Sequence, residues 1–309
     1  MSGKQILMIP LIFSMVLLSG CTGPQTTSGK GIVIENFISN PSEMYSGESF
    51  DLQLMIRNTG SVDAENVRFD LSNVGTTYEN KGLEISCESE CEEVIERFLA
   101  PDPEAGTIGE SKTCIWKCSA PEEIPRNAKI TFNPSMRVYY DYECGIVKSV
   151  TIVSEDELKS IQAQGRPLPS ETSDLTGGPV RLSIQMRSPV KYLKDSDKVE
   201  FPISISVENT GGGVACHPSC NDPENWNKVF LEMDPQSGMS LKDCDVGMFN
   251  EVDLWEGRER TIVCDGELSL FSITGDRWGG VNILQKTLNV KATYEYFTDA
   301  TTSLTVTGY

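Results

Sequence analysis

Apolar residues fall at every second position in Phe50, Leu52, Leu54 and Ile56, and the run ends in Asn58-Thr59-Gly60. The pattern returns 151 residues later, Phe201 for Phe50, as Phe201, Ile203, Ile205 and Val207 followed by Asn209-Thr210-Gly211. A period of two puts one set of side chains on one face of an extended strand, so each copy is predicted to be a half-buried strand of an antiparallel sheet. Asn and Gly tolerate positive φ, so each Asn-Thr-Gly reads as the turn that ends its strand.

Further alternating stretches surround the first copy: Gly31 to Phe37, Asn66 to Leu71, Thr113 to Cys118, Lys129 to Phe132, Met136 to Tyr142 and Ile146 to Val153. Around the second copy they are Val180 to Met186, Val229 to Met233, a hairpin about Leu254 to Cys264, Leu288 to Tyr296 and Thr301 to Thr307. Tyr140-Asp141-Tyr142 matches Tyr294-Glu295-Tyr296, and Ser149-Val150-Thr151-Ile152 matches Ser303-Leu304-Thr305-Val306, so the ends of the two units are copied as well as their centres. Short strands at turn-punctuated spacing indicate β-sandwiches. The expected fold is therefore all-β, two tandem immunoglobulin-like antiparallel sandwiches over residues 31–153 and 179–309, each folding by itself. Between them, residues 154–178 lose the alternation; Glu155 to Gln164 is predicted to form a short helix and the rest a Gly- and Pro-containing linker.

The first thirty residues follow a different pattern. Lys4 precedes an apolar run from Ile6 to Leu18 that ends in Leu18-Ser19-Gly20-Cys21. The run is shorter than the roughly 17 to 25 residues of a spanning helix and reads as the core of a signal peptide over residues 1–20. Leu-Ser-Gly-Cys resembles the lipobox of prokaryotic lipoproteins. That resemblance implies cleavage before Cys21, a lipid on its sulfur, and a Gly-, Ser- and Thr-rich tether through residue 30. The expected location is the outer face of the cell membrane, with that lipid as the membrane contact.

Composition narrows the partners. Against 26 basic residues stand 45 acidic ones, and a net charge of -19 opposes binding to nucleic acid. From Glu84 to Glu110 the only basic residue is Arg97, but the carboxylates lack the Asp-x-Asp-x-Asp-Gly spacing that aims oxygens at one calcium ion; a solvated acidic face is the expectation. There is one histidine.

The strand ending in Arg57-Asn58-Thr59-Gly60, with Ala64-Glu65-Asn66-Val67, Gly109-Glu110-Ser111, Trp116 and Ala120-Pro121, resembles the CARDB-type immunoglobulin-like repeats of archaeal and bacterial surface proteins. The resemblance implies a seven-stranded sandwich serving adhesion, presentation or spacing, and it brings no catalytic residue.

Ten cysteines behind an export signal point to disulfides. On one strand Cys114 and Cys118 lie too far apart to join. Pairing Cys91 with Cys114 and Cys87 with Cys118 instead steps forward on one strand as it steps back on the other, as an antiparallel ladder requires. A four-thiolate zinc site is the alternative, disfavoured by the surrounding carboxylates. Cys216 with Cys220 and Cys244 with Cys264 complete the candidate disulfides, and Cys144 is left over. Cys144 is expected at an exposed hairpin tip, free or bridging two chains.

The second unit carries about eleven extra residues after Asn209-Thr210-Gly211, containing Cys216-His217-Pro218-Ser219-Cys220 and ending near Trp226. Inserted loops on rigid sandwiches commonly carry binding, so His217 and Trp226, with Trp278 elsewhere, are candidate binding residues. A merely tolerated insertion is the equal alternative, and Trp116 and Trp255 read as strand residues of the core or sheet surface.

The leading functional expectation is a non-enzymatic surface protein that binds another surface protein or an envelope polymer, or spaces one from the membrane. No metal and no cofactor are expected. An accessory subunit of a membrane complex or transporter is a second reading, and a metal-binding or enzymatic protein using the cysteine clusters a third.

Overall fold

The computed structural model describes residues 29–79, 81–193, 196–247, 250–269 and 283–309. Residues 1–20, expected to be a signal peptide, and Cys21 and Trp278 lie outside the described residues. In the first half the strands are β1 (Ile32–Asn40), β2 (Glu43–Tyr45), β3 (Ser49–Asn58), β4 (Ala64–Ser72), β5 (Gly75–Tyr78), β6 (Lys81–Glu84), β7 (Ser86–Ser89), β8 (Val94–Phe98), β9 (Ser111–Ser119), β10 (Lys129–Phe132) and β11 (Ser135–Ser154). After α1 (Glu155–Gln164) come β12 (Ser173–Leu175), β13 (Val180–Met186), β14 (Val190–Tyr192), β15 (Lys198–Asn209), β16 (Val214–Cys216), β17 (Lys228–Pro235) and β18 (Met239–Lys242). The chain closes with β19 (Glu251–Asp253), β20 (Glu259–Ser269), β21 (Ile283–Thr301) and β22 (Leu304–Thr307).

The fold is all-β and immunoglobulin-like. The two repeated strands are β3 and β15, at the centres of equivalent sheets ordered β1-β3-β9-β7 and β13-β15-β20-β18. Their alternation is realised as burial: Leu52, Leu54 and Ile56, like Ile203, Ile205 and Val207, are fully buried. Each such side chain contributes about 1.5–3 kcal/mol relative to exposure. Both sheets pack on a third, ordered β19-β17-β21-β11-β4-β8, that runs through both halves. The helix begins where Ser154 caps it by accepting from the Glu157 N–H, and stops at Gly165, whose φ of 65° suits a residue without Cβ.

The shared sheet departs from the sequence expectation. Two hairpins were expected, one turning near Cys144 and one between Tyr296 and Thr301. Instead β11 runs unbroken for 20 residues and β21 for 19, paired antiparallel from Ser135 opposite Thr301 to Val153 opposite Ile283. The pairing of β10 with β22, Lys129 opposite Thr307 to Phe132 opposite Leu304, continues the same register. Each half's closing strand therefore crosses into the other half: Ile146 to Val153 pairs with the start of β21, and β22 pairs with β10 and β2. Asp141 lies opposite Glu295, its own counterpart in the repeat, so a pseudo-twofold axis passes between them.

A physical reason lies in the turn region. A tight type I′ hairpin at Glu143-Cys144-Gly145 would put a residue besides Gly145 at positive φ, which Glu and Cys resist. The exchanged arrangement offers each closing strand the same kind of partner and adds ladder hydrogen bonds across the segment a turn would have opened. The two expected units thus share one sheet through β11 and β21. The segment between them is fastened as well, since β12 pairs with β11 at Ile146 to Lys148.

Four tyrosines fill the core around the axis. Tyr140, Tyr142, Tyr294 and Tyr296 stand with neighbouring ring centroids 5.6 to 6.3 Å apart. The hydroxyls of Tyr142 and Tyr296 tie β11 and β21 to the segments beside the two Asn-Thr-Gly turns, Tyr142 accepting the Val62 N–H at 3.4 Å. Tyr142 donates to the Gly177 carbonyl at 3.1 Å, and Tyr296 donates to Asn209 Oδ1 at 2.8 Å while accepting from the Gly213 N–H.

Candidate binding surfaces

The insertion of the second half lies against this junction, on the outer face of β21. β16 pairs with β21, Val214 opposite Phe297 and Cys216 opposite Glu295, and Cys216 is joined to Cys220. Trp226 donates through Nε1 to the Cys220 carbonyl at 3.0 Å, and its ring meets Phe297 edge-on at 5.2 Å. Phe297 is thereby buried, with the Arg137 guanidinium 4.0 Å above its ring and held there by Asp299. Buried Glu295 uses one carboxylate oxygen on Arg68 and accepts the Cys220 N–H with the other. A buried carboxylate is tolerated only when partnered in this way.

The insertion therefore seals the half-to-half junction. His217 stacks on Phe230 at 5.4 Å, with Nε2 3.9 Å from Glu251, and Trp226 is turned inward. The sequence pointed to the insertion and missed its partners. Arg68, Arg137 and Glu295 sit on the outward face of strands, where charge carries no signal until the pairing is known. The one available sign was the acidic centre of the duplicated Tyr-x-Tyr.

The disulfides join Cys87 to Cys118, Cys91 to Cys114 and Cys244 to Cys264, besides the insertion's bond. Cys144 is free but sits mid-strand at 1% exposure, so the expected exposed tip and interchain bridge are corrected. Burial pushes its thiol up to about 12. Alkylation of residues 29–309 is expected to modify no thiol in the native state and one after denaturation, read by intact mass; native labelling of Cys144 would contradict its burial. Trp255 also departs from expectation, standing 71% exposed in the turn between β19 and β20.

Outward-facing concavities occur at one equivalent place in each half. In the first, Leu71, Val74, Ile85 and Trp116 line a cleft of about 590 Å³ between the end of β4 and β7. In the second, Met233, Met239, Leu241 and Val246 line one of about 540 Å³ between the end of β17 and β18. The geometry has a common cause. β8 covers β4 only as far as Arg68, and β19 covers β17 only as far as Phe230, which leaves the last residues of both strands without an outer neighbour. Among the described residues β7 and β18 are the terminal strands of their sheets, so each cleft is bordered by a sheet edge that no described strand covers.

The acidic stretch is dispersed over β7, β8 and their loops rather than gathered about one point. Glu90 pairs with Lys117, Glu92 with Lys112, and Arg97 with Asp63. Among the described residues no group of three or more His, Cys, Asp and Glu is placed to hold a metal ion, and no helix is long and apolar enough to cross a membrane.

No family model matches the chain, and no curated protein matches it, so the resemblance to CARDB-type repeats rests on the sequence motifs alone. Among solved structures, the secreted serine protease VesC from Vibrio cholerae is 6% identical, with 88% of this chain and 50% of that one covered and a TM-score of 0.21. This chain thus spans about half the length of that protein. The CupB6 tip adhesin from Pseudomonas aeruginosa is 10% identical over 91% of this chain and 97% of that one, with a TM-score of 0.18. The collagen adhesin (CNA) from S. aureus is 7% identical over 91% and 93%, with a TM-score of 0.10. The expectation of a protein without enzymatic activity is corrected here, since a serine protease stands among these matches, and it forms no part of the reading below. At these TM-scores none of the three carries an activity or a ligand over to this chain.

Proposed function

We propose that the chain is a lipid-anchored surface protein that binds another surface protein or an envelope polymer and holds it off the membrane. The observation that carries this reading is the disulfide-bonded double sandwich, with four disulfides and one sheet running through both halves. Such bonds persist in oxidising, extracytoplasmic compartments. A sheet shared over the length of β11 and β21 makes one stiff body of two repeats, which suits a spacer or presenter.

In this reading residues 1–20 are a signal peptide and 21–30 a lipidated tether, with sandwich units at 31–153 and 179–309 and the connecting segment 154–178 between. Cys21 would carry the anchor. Cys21→Ser is expected to move the protein from the membrane pellet to the soluble fraction, read by fractionation and immunoblot. Full retention of the variant in the pellet would remove the anchor from the proposal.

A further inference from the structure

We propose that the two edge clefts are the binding sites of this surface protein, and that each takes an extended, basic-apolar segment of a partner protein. The proposal rests on the surface-binding reading above and adds the site and the chemistry of the occupant.

Three observations converge. First, a strand laid along β7 or β18 would find main-chain groups on the open side of a terminal strand, the arrangement that β-augmentation uses. Second, side chains pointing inward from that strand would meet apolar walls: Leu71, Val74 and Trp116 in one half, and Met233, Leu241 and Val246 in the other. Alternate residues of an extended peptide reach that depth, so its apolar residues would recur with a period of two.

Third, the rims are acidic and unneutralised. Glu84 lines the first cleft and Asp243 the second, and neither forms an ion pair among the described residues. The nearby lysines are engaged elsewhere, Lys117 on Glu90 and Lys242 on Glu267. Outward-facing residues of the incoming strand would therefore be Lys or Arg. The same carboxylates disfavour a second copy of this chain, because edge-to-edge pairing would bring like charges together. Complementary charge also speeds encounter and discriminates against acidic segments.

The probe is a synthetic peptide of alternating lysine and valine, titrated against the full-length chain in nonionic detergent by calorimetry, with amide hydrogen exchange to locate it. Expected are saturable binding and slowed exchange at Ser86–Ser89 and Met239–Lys242. Peptides of alternating glutamate and valine, or lysine and serine, are expected to bind at least about tenfold more weakly. Glu84→Lys is expected to abolish protection at Ser86–Ser89 and leave that at Met239–Lys242 intact, which also reports that the variant is folded. The proposal is overturned if the lysine-serine peptide binds equally, since charge alone then suffices, or if protection appears away from both edges. Protection of these edges by self-association without peptide would assign the clefts to a second copy and overturn it too. Failure of these experiments with Cys21 anchoring intact would refute the clefts as sites and leave the surface location standing.

Discussion

Residues 31–178 expressed alone are expected to give no cooperatively melting monomer. Without the second half, β10 loses β22 and β11 loses the whole of β21. Leu304 and Val306, both buried, leave the core, at about 1.5–3 kcal/mol each by area alone. Together with the lost ladder and the Tyr294 and Tyr296 contacts, this is comparable to the margin of a typical domain, about 5–15 kcal/mol. The fragment does carry a substitute. Val150 and Ile152 repeat the pattern of Leu304 and Val306, so the closing strand of one copy can occupy the place of β22 in another. The expected species is a symmetric dimer exchanging Ile146 to Val153, detected by light scattering after size exclusion. Adding residues 179–309 during refolding should convert it to a one-to-one complex. A monomeric fragment with a sharp melt would show that the hairpin at Cys144 can close, and that exchange is a choice of the full chain rather than a need.

How much of this was legible follows from what each signal encodes. The period of two in β3 and β15 reports burial on one face, and the faces are as expected because burial depends on local alternation. The cysteine ladder was legible for the same reason, since the step between positions on β7 and β9 fixes which sulfurs meet. The path of β11 was not. Its two stretches have the same alternation whether the chain turns at Cys144 or runs straight, and only the partner strand, more than a hundred residues away, separates the two. Cys144 and the insertion were misplaced by that one ambiguity: the thiol became buried when the turn vanished, and the insertion acquired a junction to seal. The clefts depend on how far β8 and β19 extend along their neighbours, and strand ends are poorly encoded by alternation.

The Asn-Thr-Gly turns carry the second large effect, for a reason that positive φ does not supply. Asn58 is fully buried and its side chain replaces backbone partners: Nδ2 donates to the carbonyls of Val62 and Phe98 at 3.1 and 3.0 Å, and Oδ1 accepts the Gly60 N–H at 2.9 Å. Asn58→Ala would leave three backbone groups without partners, each costing about 1–3 kcal/mol when buried. An overall loss of about 3 kcal/mol or more lowers the midpoint of thermal unfolding by roughly 5 °C or more in a chain of this size. The counterpart Asn209 makes the equivalent bonds to Gly213 and Gly257 but is only half-buried, so water can replace part of what is lost. Asn209→Ala is therefore expected to shift the midpoint less than Asn58→Ala. Gly60 shows how tightly the first turn is closed, because a Cβ there would lie 1.8 Å from the Tyr142 hydroxyl. Gly60→Ala should accordingly displace Tyr142 and destabilise comparably, and combining Gly60→Ala with Tyr142→Phe should recover part of the loss by removing the closest contact, leaving the ring carbon at 2.8 Å to shift. Calorimetry of the four variants decides the matter. A larger effect at Asn209 than at Asn58, or no recovery in the double variant, would mean that something other than burial and the tyrosine hydroxyl fixes these turns.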